Sequence, residues 1–280
     1  MTSLVDLHLH STASDGVYAP AALVRVCLQA GLRYISLADH DTTDGVQEAL
    51  DAAQETPLTV IPGVELSTQH EGAFEVHILG YYLDYRYPPL QERLVHLRRS
   101  RIERAQAILE LLSAQGYPLS WERVAELADE GSLGRPHIAQ AMVEAEYVDS
   151  IEAAFRDYLR RGGTAYVPRA KLLPEEAIVL IREAGGVPVL AHPTHVVEHI
   201  PALVRSGLLG LEVYYNDYPD AEVAFLLRLA DKHGLVVTGG TDYHGGGITT
   251  AEAPGARHVP LEVVDALRAR ADKVRAQRTT

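Results

Sequence analysis

A single cysteine, Cys27, stands in 280 residues, so no disulfide can form within the chain. Its setting, "ALVRVCLQAG", suits a small buried helix residue better than a reactive thiol. No run approaches the roughly 18 uninterrupted apolar residues that a membrane-spanning helix needs. No basic segment followed by a long apolar stretch opens the chain, so no signal peptide is expected and the cytoplasm is the expected location. Lysine is scarce, 3 against 22 arginines, which reads as a bias of composition rather than a pointer to substrate. A surplus of positive charge is also missing: the formal net charge is −13, ill suited to holding a polyanion by simple attraction. Low-complexity tracts and internal repeats are absent too.

What is present is a chain 47% hydrophobic, enough for one large α/β domain or a domain carrying an insertion. Strand-like runs, "LVDLHL", "YISLAD", "LTVIPGVEL", "FEVHILGYY", "VPVLAHP", "LLGLEVYY" and "LVVTGGTD", recur with helical stretches between most of them. The helical stretches are Pro20–Ala30, Thr43–Ala53, Pro174–Ala184, Val196–Ser206, Ala221–His233 and Leu261–Arg275. Alternation of this kind predicts a mostly parallel sheet or barrel, with the fourth strand following the third directly as an exception. Between Arg93 and Arg161 the rhythm changes. One long amphipathic helix ends near Gly116, and shorter helices follow with no strand signal between them. The expected organisation is a barrel over 1–92 and 164–280, interrupted by an all-helical insertion over 93–163. The segment Arg93–Lys171 carries a net charge of +1 and the remainder −14, as two separate modules would.

The polar residues gather rather than scatter. "VDLHLHSTASD" reads as a short strand on which Asp6, His8 and His10 share one face, with Asp15 in the following turn. His40 follows the second strand in "LADHDTTDG", Glu65 ends the third, and His77 lies on the fourth. His192 ends the fifth in "LAHP", and Asp242 and His244 follow the seventh in "GGTDYHG". In a barrel of parallel strands the carboxyl ends open on one rim, so these groups should converge there. A lone strand-end histidine is an ordinary structural residue. Imidazoles and carboxylates at successive strand ends make a donor set for divalent first-row metals.

Taken in order, "DLHLHSTASDG", "LADHDT", "PGVELS", "VHILGY", "AHP" and "GGTDYHG" resemble the motifs of the polymerase and histidinol phosphatase (PHP) family over nearly the whole chain. "GRPHIA" inside a helical insertion resembles the branch that includes 3′,5′-nucleoside bisphosphate phosphatases, some members of which trim short RNAs from the 5′ end. The resemblance implies a distorted (β/α)7 TIM-like barrel and three divalent ions, manganese, iron or zinc. It places His8, His10, Glu65 and Asp242 around the first ion. Glu65 would bridge to a second held by His77 and His192, and Asp15, His40 and His244 would hold the third. Two ions sharing Glu65 would lower the pKa of a shared water and deliver a hydroxide to phosphorus.

The expected substrate is a small phosphorylated molecule, a nucleotide or short RNA, with no membrane and no stable protein partner implied. Arg135 is the expected phosphate fork and His137 a spare histidine for the leaving-group proton, beside His192, His244 and Asp242 at the centre. Arg169 and Lys171 in "YVPRAKLLP" are further phosphate-binding candidates. Asp39, Asp41 and Glu212 are read either as supports for histidine ligands or as capping and rim residues. The arginines of "LRRSRIER" read as a solvated helix face, and "TGGTDYHG" lacks the lysine of a phosphate-binding P-loop. The lead reading is a metal-dependent phosphomonoesterase releasing the 3′-phosphate of nucleoside 3′,5′-bisphosphates, with 5′–3′ degradation of short oligoribonucleotides as a companion activity. Competing readings are histidinol-phosphate phosphatase, a proofreading-type nuclease module, a C–N hydrolase, and a catalytically silent metal-binding interaction domain. The silent domain should have lost ligands, and none of the nine positions is missing.

Overall fold

The apolar runs become seven strands in a computed structural model that describes residues 3–69, 75–128, 133–168, 172–245 and 249–278. Strand β1 (Val5–Leu9) leads to α1 (Pro20–Gln29), β2 (Tyr34–Leu37), α2 (Val46–Ala53), β3 (Thr59–Gln69) and β4 (Glu75–Tyr81). Four helices follow: α3 (Pro88–Ala114), α4 (Trp121–Ala128), α5 (Arg135–Glu144) and α6 (Ile151–Ala154), the last continuing into a π-helical turn, Phe155–Leu159. The strand–helix rhythm resumes with α7 (Pro174–Glu183), β5 (Val187–Leu190), α8 (Ile200–Arg205), β6 (Gly210–Tyr215), α9 (Asp220–His233), β7 (Val236–Gly240) and α10 (Glu262–Arg278). Among the described residues no helix is long and apolar enough to cross a membrane.

Local chemistry sets the helix ends. Pro20 opens α1, where a missing N–H is no loss, and Gly31 follows its end at φ 85°. The stretch Val196–Ser206 is not one helix. Pro201 lacks an N–H and crowds any turn before it, so α8 starts at Ile200 and two 3-10 turns, Pro193–His195 and Val197–His199, precede it. Helix α2 starts at Val46 rather than Thr43, whose hydroxyl instead donates to the Tyr85 carbonyl at 3.2 Å.

Two compact units divide the chain, residues 1–92 with 171–280 and residues 93–170. In the first, the sheet order is β1-β2-β3-β4-β5-β6-β7, nearly closed into a barrel. Every adjacent pair is parallel except those of β4, which runs antiparallel to both β3 and β5. The expectation that every strand offers its carboxyl end to one rim therefore fails at β4, because a direct β3–β4 connection has no crossover helix to restore direction. It is the amino-terminal half of β4 that carries His77, paired with Ser67. Leu7, Leu79, Val189 and Leu267 belong to a core packed under α10, and Leu23, Ile35 and Leu37 to another under α1 and α2.

The second unit has its own core, including Leu112, Val124, Ile138, Met142 and Leu159. Fully buried Ala165 belongs to this core and Val167 packs against it. The unit accordingly extends to Ala170, beyond Gly163 where the sequence reading closes the insertion.

The seam between β1 and β7 depends on Asp6. Its carboxylate accepts from Thr241 Oγ1 (2.6 Å), Gly255 N (2.8 Å), Thr241 N (3.0 Å) and His8 N (3.3 Å). Burial raises its pKa to about 6 against the pull of those donors. Asp6→Ala strands buried donors at a cost of about 1–3 kcal/mol each. The variant should lose about 3 kcal/mol or more in urea unfolding, and stability within about 0.5 kcal/mol of the parent would contradict this account of the seam.

Candidate metal centre

Residues two apart on β1 face one way, and beyond Asp6 that face turns His8 and His10 into the barrel mouth, both fully buried. Glu65 on β3 and His77 on β4 are diagonal neighbours across an antiparallel pair, since Glu65 pairs with Leu79 and Ser67 with His77. The remaining residues sit where strands break into turns. Asp41 (φ 54°), His192 (φ 28°) and Asp242 (φ 55°) are all non-glycine residues in the left-handed region, two of them aspartates that tolerate it best. Such strain is held in place by what surrounds it, and here it bends the chain after β2, β5 and β7.

All nine histidines and carboxylates named from the motifs come together. His8 Nε2 lies 3.3 Å from Glu65 Oε2 and 3.4 Å from Asp242 Oδ1, and His10 Nε2 lies 3.3 and 3.1 Å from the same two oxygens. Glu65 divides its oxygens: Oε2 also meets His40 Nδ1 at 3.0 Å, whereas Oε1 meets His77 Nδ1 at 2.9 Å and His192 Nε2 at 3.3 Å. Asp15 lies 3.3 Å from His244 Nε2, 3.7 Å from His10 Nδ1 and 3.8 Å from His40 Nε2. His40 thus stands between two groups, one nitrogen toward Glu65 and the other toward Asp15.

This arrangement fits cations. His8 Nε2, both ring nitrogens of His10, Asp15 Oδ1, His40 Nδ1, Glu65 Oε2 and Asp242 Oδ1 are buried without a well-aligned hydrogen bond. Buried polar atoms are ordinarily satisfied, so a cluster of exceptions facing one another has the chemistry of a cation-holding set. Donors about 2.1 Å from an ion stand about 3.0–3.4 Å apart in octahedral or tetrahedral geometry, the spacing of the first group.

The surrounding groups fix ring orientation. His8 Nδ1 is 2.9 Å from Glu212 Oε1, and Glu212 Oε2 accepts from the His192 amide at 2.8 Å. His244 Nδ1 donates to the Asp242 carbonyl at 2.9 Å, which leaves Nε2 as the lone-pair nitrogen. Asp39 gathers Ser11 N (2.7 Å), Ser11 Oγ (2.7 Å) and Ser14 Oγ (2.6 Å), which shapes the turn leading to Asp15. Gly16 allows that turn, because a Cβ there would lie 2.3 Å from the His10 carbonyl oxygen. Asp41 accepts from Ser67 N at 2.9 Å, tying the second turn to β3. Tyr215 was not anticipated: its hydroxyl donates to Asp242 Oδ2 at 2.9 Å. No motif marks it, and its signal lies in a strand irregularity the sequence does not display.

Burial opposes charge throughout, yet the partners outweigh it. Glu212, Asp242 and Glu65 lift His8 well above the ordinary imidazole value, and Asp242 and Glu65 lift His10 to about 10. Conversely, neighbouring imidazoles hold Glu65, Asp242 and Asp15 well below the carboxyl range. His40 moves the other way, because burial pushes it down to about 4 and leaves it an uncharged donor at neutral pH.

The other expected site residues lie elsewhere. Arg135 and His137 open α5 in the second unit. Arg135 donates to the Leu159 carbonyl at 3.1 Å and sits 5.6 Å over the Phe155 ring. His137 Nδ1 accepts from the Gly134 amide at 3.1 Å, a capping contact. Arg169 and Lys171 fall outside the described residues.

Comparison with known proteins decides the family. The PHP domain matches residues 6–182, more than half of the chain. The chain belongs to the PHP family. Among PHP relatives, the 5′-3′ exoribonuclease Rnm of Escherichia coli (strain K12) is 34% identical over 252 residues, 86% of this chain and 85% of that one. The 3′,5′-nucleoside bisphosphate phosphatase of Chromobacterium violaceum is 31% identical over 87% of this chain and 88% of its own. A phosphoribosyl 1,2-cyclic phosphate 1,2-diphosphodiesterase of Eggerthella lenta is 32% identical over 86% and 94%. A crystal structure of a Bifidobacterium adolescentis protein assigned as a metal-dependent phosphoesterase superposes with a TM-score of 0.82, at 32% identity over 95% of this chain and 96% of that one. As a PHP phosphoesterase the chain is a metal-dependent hydrolase of phosphate esters.

Protons and cations compete for these nitrogens. Without metal, His10 holds a proton at pH 8, so adding manganese or zinc to chelator-treated protein should release at least one proton per chain. Calorimetry in buffers of different ionisation enthalpy measures this, and heats independent of the buffer would contradict it. In the metal-free protein the raised His10 gives stability that is complete below about pH 6.5 and lost as pH climbs toward about 10. Unfolding of the metal-free form should follow that slope.

Proposed function

We propose that the protein removes the 3′-phosphate of nucleoside 3′,5′-bisphosphates and also degrades short oligoribonucleotides from the 5′ end. The observation that carries the reading is the division of Glu65 between two sets of imidazoles within a ring of buried, unsatisfied donors. His8, His10, Glu65 and Asp242 would hold one divalent ion, Glu65, His77 and His192 a second, and Asp15, His40 and His244 a third. Bound manganese, iron or zinc supplies Lewis-acid polarisation of phosphoryl oxygens and an acidified water.

The protein's own groups do the rest. Glu212 and the Asp242 carbonyl hold His8 and His244 so that Nε2 of each faces the centre. Cys27 is no nucleophile: it is buried in a helix and burial pushes its thiol pKa up. Arg135, steadied by Leu159 and Phe155, is the group to bind a substrate phosphate through two parallel hydrogen bonds. With Nδ1 accepting from Gly134, a neutral His137 carries its N–H on Nε2, from which it would donate a hydrogen bond to the leaving oxygen. The segment 93–170, with "GRPHIA", serves as the substrate-recognition unit in this reading.

Two of the three relatives at 31–34% identity, the exoribonuclease and the nucleoside bisphosphate phosphatase, are named for RNA or nucleotide substrates, which supports that class over the cyclic phosphoribosyl ester of the third. Adenosine 3′,5′-bisphosphate and a 5′-phosphorylated short RNA should be hydrolysed with manganese in preference to histidinol phosphate and phosphoribosyl 1,2-cyclic phosphate. Preference for either of the last two would overturn the substrate assignment. Arg135→Ala should lower kcat/KM on the bisphosphate by about 10- to 100-fold, the worth of a charged hydrogen-bond pair, with metal content unchanged.

A further inference from the structure

We infer that Tyr215 is a positioning residue of the metal centre: it fixes Asp242 as a one-oxygen donor and seats the ring of His192. The inference rests on the metal-holding reading above and adds a residue that the family motifs do not mark.

A local irregularity in β6 creates the position. Glu212 pairs with Thr238 and Tyr214 with Gly239, so β6 advances two residues while β7 advances one. Val213 is the extra residue of a bulge. Under strict alternation Glu212 and Tyr214 would share the inner face and Tyr215 would point outward. The extra residue shifts that pattern, so Glu212 and Tyr215, three apart, both face the centre. Bulges are a recurrent means of re-aiming a side chain beside an active site. Tyr214 meanwhile faces charges of the outer layer, Glu262 and Arg257.

Glycines on β7 permit the close approach. A Cβ on Gly239 would lie 2.5 Å from that of Tyr214, and one on Gly240 would lie 2.4 Å from the backbone nitrogen of His8. The chain is therefore drawn tightly together where β1, β6 and β7 meet.

From this position Tyr215 makes two contacts with the proposed ligands. Its hydroxyl donates to Asp242 Oδ2 at 2.9 Å, and Oδ1, the oxygen left over, is the one within 3.4 Å of His8 and His10. Its ring meets that of His192 edge-on, with centroids 5.9 Å apart and planes at 66°. His192 in turn stacks on His8 at 6.2 Å and 20°. Oδ1 faces His8 and His10, and the Asp242 carbonyl is engaged by His244 and Thr249; among the described residues it is the Tyr215 hydroxyl that holds Oδ2. Without the phenol, Oδ2 loses that hydrogen bond and the carboxylate loses the contact that sets which oxygen it offers.

Tyr215→Phe removes one oxygen and keeps the ring, so it separates the two contacts. The prediction is that the metal-free variant still folds, losing no more than the worth of one hydrogen bond to a charged group, while one ion is held about tenfold or more weakly, as loss of a ligand-orienting partner does. Affinity is read by competition with a chelator followed by elemental analysis. Raising the metal concentration should restore kcat with the substrate KM unaltered. Tyr218→Phe is the control and should bind metal as the parent does, since the Tyr218 hydroxyl meets the Thr194 amide, not Asp242. Should Tyr215→Phe not fold, Tyr215→His replaces the donor, and an affinity weaker than the parent's by less than about tenfold is expected. Unchanged affinity for every ion in a folded Tyr215→Phe variant overturns the inference. A parent protein that binds no ion overturns the metal-holding reading and this inference together.

Discussion

Everything in the barrel mouth depends on one buried carboxylate. Glu65 is 1% exposed, and its two oxygens face five imidazoles, His8, His10 and His40 on one side and His77 and His192 on the other. An unpaired carboxylate in such a place costs several kcal/mol, so the surroundings must supply positive charge. Protons on His8 and His10 can do so, and divalent cations do it with more charge and more directed bonds. Asp15, Glu65 and Asp242 gather where cations would neutralise them, so the charge met by a phosphate at the barrel mouth need not follow the net charge of −13.

The fold serves that constraint by bringing distant segments to one point. Six strands supply donors or the turns that carry them, and three of those turns use non-glycine residues in the left-handed region. Behind the donors stands a second ring of acidic and aromatic groups. Glu212 braces His8 and the His192 backbone, Asp39 shapes the turn before Asp15, and Tyr215 holds Asp242. Asp6, on the same face as His8 and His10, works one layer deeper and closes the barrel rather than joining the centre.

Much of this was legible before any coordinates. The HxH pair on β1 is visible from alternation, and "STASDG" makes sense residue by residue: Ser11 and Ser14 donate to Asp39, and Gly16 permits the turn. What stayed hidden has physical causes. Strand direction is not written in periodicity, so the antiparallel β4 did not show in "FEVHILG". The bulge at Val213 shifts facing by one residue, and "EVYY" reads equally well either way. The π-helical turn after α6 looks like ordinary helix in "AAFRDYL", yet its last residue supplies the carbonyl that holds Arg135. Side-chain periodicity reports which face is apolar; it does not report register, direction or which lone pair is left over.

Anomalous X-ray diffraction from a crystal soaked in manganese and collected at the manganese edge tests the central claim most directly. The account requires anomalous peaks on both sides of Glu65, one against each carboxylate oxygen, with a further peak beside Asp15 and His244. Absence of any peak at Glu65, in crystals shown to take up the metal elsewhere, would contradict it.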